Sequence, residues 1–196
     1  MGVLDSAPHI QPRSRAEWRE WLAANHATSR GVWLVGAGRG GSSADLDYDA
    51  SVEEALCFGW IDGQAARFDE QRPKQYFAPR RPGSPWARTN KVRIENLVAA
   101  GLMTGAGLAV IGRAQADGSW TVFDSVERLE VPDDLSAALD GRPPARKEFD
   151  AFPPSARKQL LSWIALAKRP ETRARRVDET AAAAQRGERA NEPPGG

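Results

Sequence analysis

Prolines recur through the last third of the chain and limit how its helices can run. From Pro132 onward, apolar residues at helical spacing fall into four segments, each with a proline at or near its start. Proline is tolerated in the first turn of a helix but breaks a helix interior. The pattern therefore predicts several short helices instead of one long helix. The predicted segments are 132–140, 143–151, 153–168 and 170–186.

The preceding residues mix helical and extended patterns. Glycines bound the apolar run 32–35, which predicts a strand, and the runs 65–69 and 75–80 resemble a hairpin. Ser51 and Glu54 have the spacing of a capping box, and Asp49 is the other candidate cap. Helices are predicted over 15–25, from this cap to the Asp62–Gly63 turn, over 86–100, and from Thr104 to Asp117–Gly118.

These elements together predict an α+β fold, in which helices pack a small antiparallel sheet of about three strands and a helical C-terminal module follows. The predicted divisions are a flexible N-terminal arm over 1–14, an α+β domain over 15–131, the helical module over 132–186 and a disordered tail over 187–196.

The helical module has a predicted apolar seam and one predicted ion pair. Arg173 shares a face of the last helix with Val177, Ala181 and Ala184, so its stem should pack and its head should pair with a carboxylate. The seam is predicted to consist of Phe149, Phe152, Leu160, Trp163, Ile164 and Ala167.

The composition excludes several classes of protein. The 196 residues are 41% hydrophobic and 27% charged with a net charge of +1, which argues against a uniformly basic nucleic-acid coat protein. One cysteine and two histidines leave no internal disulfide and no expected structural zinc site. The N-terminal residues have no apolar signal segment, and the uncharged stretch 96–112 is too short and glycine-interrupted to span a membrane. We therefore expect a cytoplasmic protein without a cofactor.

Charged residues are segregated into two blocks of opposite sign. The segment 40–66 contains six acids and no lysine or arginine, and 71–94 contains seven bases and no acid. The blocks either neutralise each other or form a cleft that binds an anion. The acids are Asp45, Asp47, Asp49, Glu53, Glu54 and Asp62, and the bases are Arg72, Lys74, Arg80, Arg81, Arg88, Lys91 and Arg93.

Three other motifs give weaker evidence of a functional site. Gly36–Gly41 has the spacing of a dinucleotide-binding loop, but no helix follows directly and the acidic block would repel phosphate. The three alternating aspartates that begin at Asp45 lack the glycine and the glutamate of a calcium loop. Cys57 lies among apolar residues, so a buried structural thiol is expected, and His26 is expected at a helix C-terminus.

Several longer motifs resemble the YdeI/OmpD-associated family, also called the bacteriocin-protection family. These are the runs 54–63 and 79–86 with Asn90, and 171–176, together with Trp33, the 118–120 turn and the helix start at 132–135. The resemblance extends over about residues 14–186. It implies a role in tolerance of bacteriocins or cationic antimicrobial peptides and an association with an outer-membrane porin, but no catalytic residues.

The leading hypothesis is a cytoplasmic, non-enzymatic protein that binds a small anionic or phosphorylated ligand and is linked to stress or antimicrobial tolerance. Three prolines stiffen the irregular loop that carries the two adjacent arginines, and aromatic residues flank it. A monomer or a homodimer would be compatible with this function. The predicted ligand-binding residues are Trp60, Asp62, Arg80, Arg81, Trp86 and Asn90.

Two alternatives remain open. An enzyme in the same cleft would use Asp62 as its acid, with His26 as a second group. Nucleic-acid binding through the basic block 72–93 ranks third, because the total charge is balanced and no nucleic-acid motif is present.

Overall fold

The computed structural model describes residues 6–36 and 46–191, which divide into two compact units. The first unit consists of the described residues up to Ser84 together with Thr89–Ser119, and the second of Pro85–Arg88 and the residues from Trp120 onward. The sequence pattern places this boundary at 131/132 instead. The following predicted features lie outside the described residues: the start of the arm (1–5), the glycine-rich loop from residue 37 to 43, Asp45, and residues 192–196 of the tail.

The first unit combines a small sheet with helices. Its strands are β1 (His9–Ile10), β2 (Val32–Val35), β3 (Trp60–Arg67) and β4 (Pro73–Pro79). Its helices are α1 (Arg15–Asn25), α2 (Tyr48–Cys57), α3 (Arg88–Ala99, whose first residue falls in the second unit) and α4 (Gly105–Ala116).

The predicted α+β class is confirmed, but the sheet differs from the expected three antiparallel strands. Its order is β1-β2-β4-β3, and β1 pairs with β2 in parallel, so the sheet is mixed and has four strands within the described residues. The extra strand comes from the segment predicted as a flexible arm, where His9 is in register with Trp33. Two paired residues are too few for any periodicity to be visible in the sequence.

Helix α2 begins and ends earlier than its sequence pattern predicts. Asp47 caps it by accepting a hydrogen bond from the backbone N–H of Ala50 at 2.8 Å, so the capping box at Ser51 was wrong. The predicted stop at Asp62–Gly63 was also wrong, because both residues lie in β3. The turn that ends the helix contains Gly59 at φ +75°, a left-handed conformation that glycine adopts without strain.

Aromatic side chains fill the core of the first unit. Trp18 and Phe77 are fully buried with ring centroids 5.4 Å apart. Indole Nε1 of Trp18 donates to the carbonyl oxygen of Ser51 at 3.0 Å, which satisfies its one polar atom. Because Trp18 is on α1, Ser51 on α2 and Phe77 on β4, this core holds both helices against the sheet and so positions the first turn of α2.

The second unit consists of five helices in its described part. Its core contains Phe149, Leu160 and Ile164 of the predicted seam, and Phe152 packs partly buried against it. Trp163 and Ala167 do not belong to this core, so that part of the prediction was wrong. Arg173 pairs with Asp134 through two hydrogen bonds of 2.7 and 3.0 Å, which confirms the predicted pairing with a carboxylate. The helices are α5 (Asp124–Glu127), α6 (Asp133–Asp140), α7 (Ala145–Ala151), α8 (Pro154–Ala165) and α9 (Pro170–Gln185).

Within residues 6–36 and 46–191, no helix has both the length and the apolar character needed to cross a bilayer. The same residues contain no group of three or more histidine, cysteine or acidic side chains arranged to hold a metal ion.

Candidate functional site

Asp62 is joined to the first turn of α2 by a tyrosine. The phenolic oxygen of Tyr48 donates to Oδ2 of Asp62 at 2.7 Å. This contact raises the pKa of Tyr48 to about 12, with burial and the carboxylate charge as further causes. The neutral phenol therefore acts as a fixed hydrogen-bond donor, and Asp62 remains half-buried at the edge strand of the sheet.

Arg80 and Arg81 stand where β4 leads into a tight turn. The backbone N–H of Ser84 donates to the carbonyl oxygen of Arg81 at 3.2 Å, which closes a four-residue turn. Pro82 and Gly83 are its central residues, and Gly83 has φ +69°, as a type II turn requires. The backbone N–H of Arg80 also donates to Gly59 at 3.0 Å. The two arginines are thus held on a stiff backbone, as the proline content of the loop predicts.

The guanidinium of Arg80 is partly withdrawn from water. Its Nη2 donates to the carbonyl oxygen of Ser84 at 3.3 Å, across the turn. Burial lowers the pKa of Arg80 to about 10, and the charge of Asp62 opposes this shift. Arg81 is exposed instead. The loop therefore presents one desolvated and one solvated cation next to each other.

Asn90 belongs to a second chain of polar contacts that reaches the same helix turn. Nη1 of Arg93 donates to Oδ1 of Asn90 at 3.0 Å, and Nη2 of Arg93 pairs with Asp49. Arg93 and Asp49 both interact electrostatically with Tyr48. We call the six residues that these contacts bring together the α2 cluster: Tyr48, Asp49, Asp62, Arg80, Asn90 and Arg93.

The two charge blocks neutralise each other only in part. Arg93 and Asp49 form an ion pair between the blocks, and Arg80 interacts with Asp62. Glu54, however, is buried and pairs with Arg15 and Arg19 of α1, each at 2.6 Å. Glu53 also pairs with Arg15, at 3.0 Å. Two acids of the acidic block, Glu53 and Glu54, are therefore neutralised by arginines of α1 and not by the basic block.

The two predicted stacking residues lie in buried positions. Trp60 is 1% exposed, its Nε1 donates to the carbonyl oxygen of His26 at 3.2 Å, and its ring lies edge-on to Trp21. Trp86 is 2% exposed, belongs to the second unit and packs against Trp120 at 5.0 Å. Neither ring presents an open face here, whereas Tyr48 of the α2 cluster is 54% exposed.

The residues considered for catalysis do not share a described contact. His26 caps the C-terminus of α1, as expected, and its Nδ1 lies 2.9 Å from the carbonyl oxygen of Leu22. Asp62 instead contacts Tyr48. Cys57 is fully buried, and burial raises the pKa of its thiol, as expected for a structural cysteine.

The sequence analysis did not identify Tyr48 as part of this site, nor Arg93 as the residue that joins Asn90 to Asp49. Tyr48 lies 14 residues from Asp62, and Arg93 lies 44 residues from Asp49. One signal in the sequence could have pointed to Tyr48. It directly follows Asp47, and aspartate is a favourable N-cap, so the tyrosine is the first residue of the helix.

Comparison with known proteins gives two family matches and no similar individual protein. Residues 10–110, just over half of the chain, match the family described as domain of unknown function DUF8412. Residues 128–187 match the family described as bacteriocin-protection, YdeI or OmpD-associated. No curated protein and no solved structure matches the chain significantly.

The expected resemblance to the YdeI/OmpD-associated family is confirmed over residues 128–187 of the second unit. The motifs at 54–63 and 79–86 that also suggested it fall within the other match, so the α2 cluster lies in the part that resembles DUF8412. The chain therefore belongs to the DUF8412 family, and its C-terminal segment is a domain of the bacteriocin-protection, YdeI or OmpD-associated family.

Proposed function

We propose that the chain is a cytoplasmic, non-enzymatic binding protein that takes a small anionic or phosphorylated molecule at the α2 cluster and the turn beside it. The observation that carries this proposal is the pair Arg80 and Arg81, held next to each other on a closed turn with one guanidinium partly desolvated.

Desolvation gives an anion a reason to bind at Arg80. Burial lowers the pKa of Arg80 to about 10, although the charge of Asp62 opposes this shift. A ligand oxyanion would add a favourable charge beside this half-buried guanidinium, since hydrogen bonds between two charged groups are stronger than neutral ones. Arg81, which is exposed, would supply the second cation without a cost of burial.

The neighbouring residues define the rest of the proposed contact set. Tyr48 offers an exposed ring for apolar contact, and Asn90 an amide for hydrogen bonding. Asp62 adds a carboxylate, which favours a ligand that carries a hydroxyl or amine donor beside its anionic group. We leave Trp60 and Trp86 out of this set, because their rings are buried.

The family match of the second unit supports the proposed role in stress or antimicrobial-peptide tolerance. The description of that family names bacteriocin protection, so we assign the binding protein a role in stress or antimicrobial-peptide tolerance. Ligand binding in the first unit would be the chemical event on which this role depends.

Thermal unfolding against inorganic phosphate, sugar phosphates, nucleotides, carboxylates and short oligonucleotides, at two salt concentrations, tests the proposal. A ligand at 100 times its dissociation constant adds about 2.7 kcal/mol to the native state, which raises the unfolding midpoint measurably. Arg81→Gln should abolish the shift and leave the midpoint of the ligand-free protein unchanged, because the side chain is exposed. Arg113→Gln, an exposed arginine of α4, is the matched control and should retain the shift.

Two outcomes would contradict anion binding at this turn. One is the absence of a shift with every compound tested, and the other is a shift that Arg81→Gln leaves intact. A shift produced by oligonucleotides alone, with a steep dependence on salt, would favour the nucleic-acid alternative.

A further inference from the structure

The second unit contains a cavity of about 190 Å³ that six apolar and three polar residues line. Val126 of α5 and Leu161 and Ile164 of α8 form its buried part. A cavity of about 150 Å³ with apolar walls is large enough for benzene. This one is therefore large enough for an aliphatic or aromatic side chain of a small ligand.

The polar residues that line the cavity are the exposed ones. The side chain of Glu130 is 53% exposed and that of Arg173 is 35% exposed, and Ser125 is exposed as well. Val126, Leu161 and Ile164 are buried, whereas these polar side chains are partly or largely exposed, so the polar groups lie on the solvent side of the cavity. One positive and one negative group thus flank an apolar interior.

Both charged groups are held in place by partners beside them. Oδ2 and Oδ1 of Asp134 accept Nε and Nη2 of Arg173 at 2.7 and 3.0 Å, so among the described contacts Nη1 remains available for a ligand oxygen. Arg128 holds Glu130 through hydrogen bonds of 2.5 and 3.1 Å. These contacts lower the pKa of Asp134 and of Glu130, so both carboxyls are ionised at neutral pH.

The backbone before Glu130 is strained. Leu129 has φ +56°, a left-handed conformation that is uncommon for residues other than glycine. Backbone N–H groups of Leu129 and Glu130 donate to Val126 and Ser125 at 3.0 and 2.9 Å, which ends α5 in a tight turn. The Leu129 side chain packs against the core, so the strained turn places Glu130 at the cavity opening.

We propose that this cavity binds a small zwitterion with an apolar side chain, of the class of the aliphatic α-amino acids. The ligand carboxylate accepts a hydrogen bond from Nη1 of Arg173, and the ligand ammonium donates to Glu130. The side chain lies against Val126, Leu161 and Ile164. Such a ligand uses the positive, the negative and the apolar part of the lining, and the site is separate from the one proposed in the first unit.

Methyl NMR of the full chain with L-leucine as the probe tests this inference. Leucine should shift the methyl resonances of Ile164 and Leu161 in a saturable manner. Isovalerate and isoamylamine, which each carry one of the two charges, should bind at least about tenfold more weakly. Equal binding of the uncharged 3-methyl-1-butanol would contradict the preference for a zwitterion. The absence of any shift with leucine at millimolar concentration would contradict ligand binding in this cavity.

Variants separate ligand contact from fold stability. Arg173→Gln should weaken leucine binding at least about tenfold, whereas Arg175→Gln, two residues away on α9 and paired only with Glu179 in the described contacts, should not. If Arg173→Gln fails to fold because Asp134 loses its partner, Glu130→Gln serves instead, since Glu130 is exposed. Unchanged leucine affinity in Glu130→Gln would overturn the proposed ammonium contact.

Discussion

Tyr48 donates its phenolic hydrogen to Asp62 at 2.7 Å and thereby joins the start of α2 to strand β3. Because Asp62 also interacts with Arg80, the same carboxylate links the helix turn to the loop that we propose as an anion site. This carboxylate therefore connects three segments of the first unit: the start of α2, strand β3 and the loop after β4.

The Tyr48–Asp62 contact makes stability depend on alkaline pH. The pKa of Tyr48 is raised to about 12 in the folded chain and is about 10 in an unfolded chain, so folding favours the protonated phenol. This contribution is complete below pH 10 and is lost as the pH rises from 10 to 12. We expect the unfolding midpoint of Tyr48→Phe to fall less over this range than that of the wild type.

Tyrosinate absorbance gives an independent measurement of the same contact. Asp62→Asn should move the Tyr48 titration down from about 12 toward 10, because the hydrogen bond to a carboxylate is the largest cause of the shift. Tyr76 is the other tyrosine of the chain, so the absorbance of the Tyr48→Phe variant is subtracted to obtain the titration of Tyr48 alone. A titration that Asp62→Asn leaves unchanged would show that the contact does not form in solution.

Glu54 should contribute more to stability than its neighbour Glu53. Glu54 is 3% exposed and accepts hydrogen bonds from both Arg15 and Arg19, whereas Glu53 is 31% exposed and pairs with Arg15 alone. Hydrogen bonds to charged groups contribute about 1.5–3 kcal/mol. We expect Glu54→Gln to lose about that much free energy of unfolding in urea, and Glu53→Gln at most about 1 kcal/mol. Equal losses would contradict the burial of Glu54.

Two glycines of α4 should respond in opposite directions to alanine. A Cβ at Gly107 would lie 2.3 Å from the carbonyl oxygen of Cys57, whereas a Cβ at Gly112 would meet nothing within 4 Å. Gly107→Ala must displace α4 from α2, and such overpacking costs about 1–3 kcal/mol. Gly112→Ala should stabilise the helix by about 0.5–1 kcal/mol. Thermal unfolding of both variants checks the close approach of α4 to α2.

Phe149 should dominate the core of the second unit. It is fully buried among side chains of α6, α8 and α9, while Phe152 only packs partly buried against that core. We expect Phe149→Ala to cost about 3–5 kcal/mol in urea unfolding, as truncation of a buried phenylalanine usually does. Phe152→Ala should cost clearly less, and the reverse order would contradict the packing described above.

Local sequence patterns predicted most helices and the central strand. The bounds of α1 and β2 agree with their predicted segments, 15–25 and 32–35, and α6 begins one residue after the predicted start at 132. These elements depend on caps, prolines and apolar spacing within a few residues, which single-sequence reasoning can detect. Strand β1 and the start of α2 were missed, because a two-residue strand exists only through its pairing partner and because Asp47, Asp49 and Ser51 are all acceptable caps.

For the candidate site, the conformation of the loop that carries Arg80 and Arg81 follows from its own residues, since Pro82 and Gly83 fit only a few turn conformations. Packing of the whole unit, in contrast, selects the acids that face those arginines and the aromatic ring that stays exposed. It paired Glu54 with α1, brought Tyr48 to Asp62, and buried Trp60. This difference arises because turns and caps depend on neighbours in the chain, whereas ion pairing and burial depend on side chains that only packing brings together.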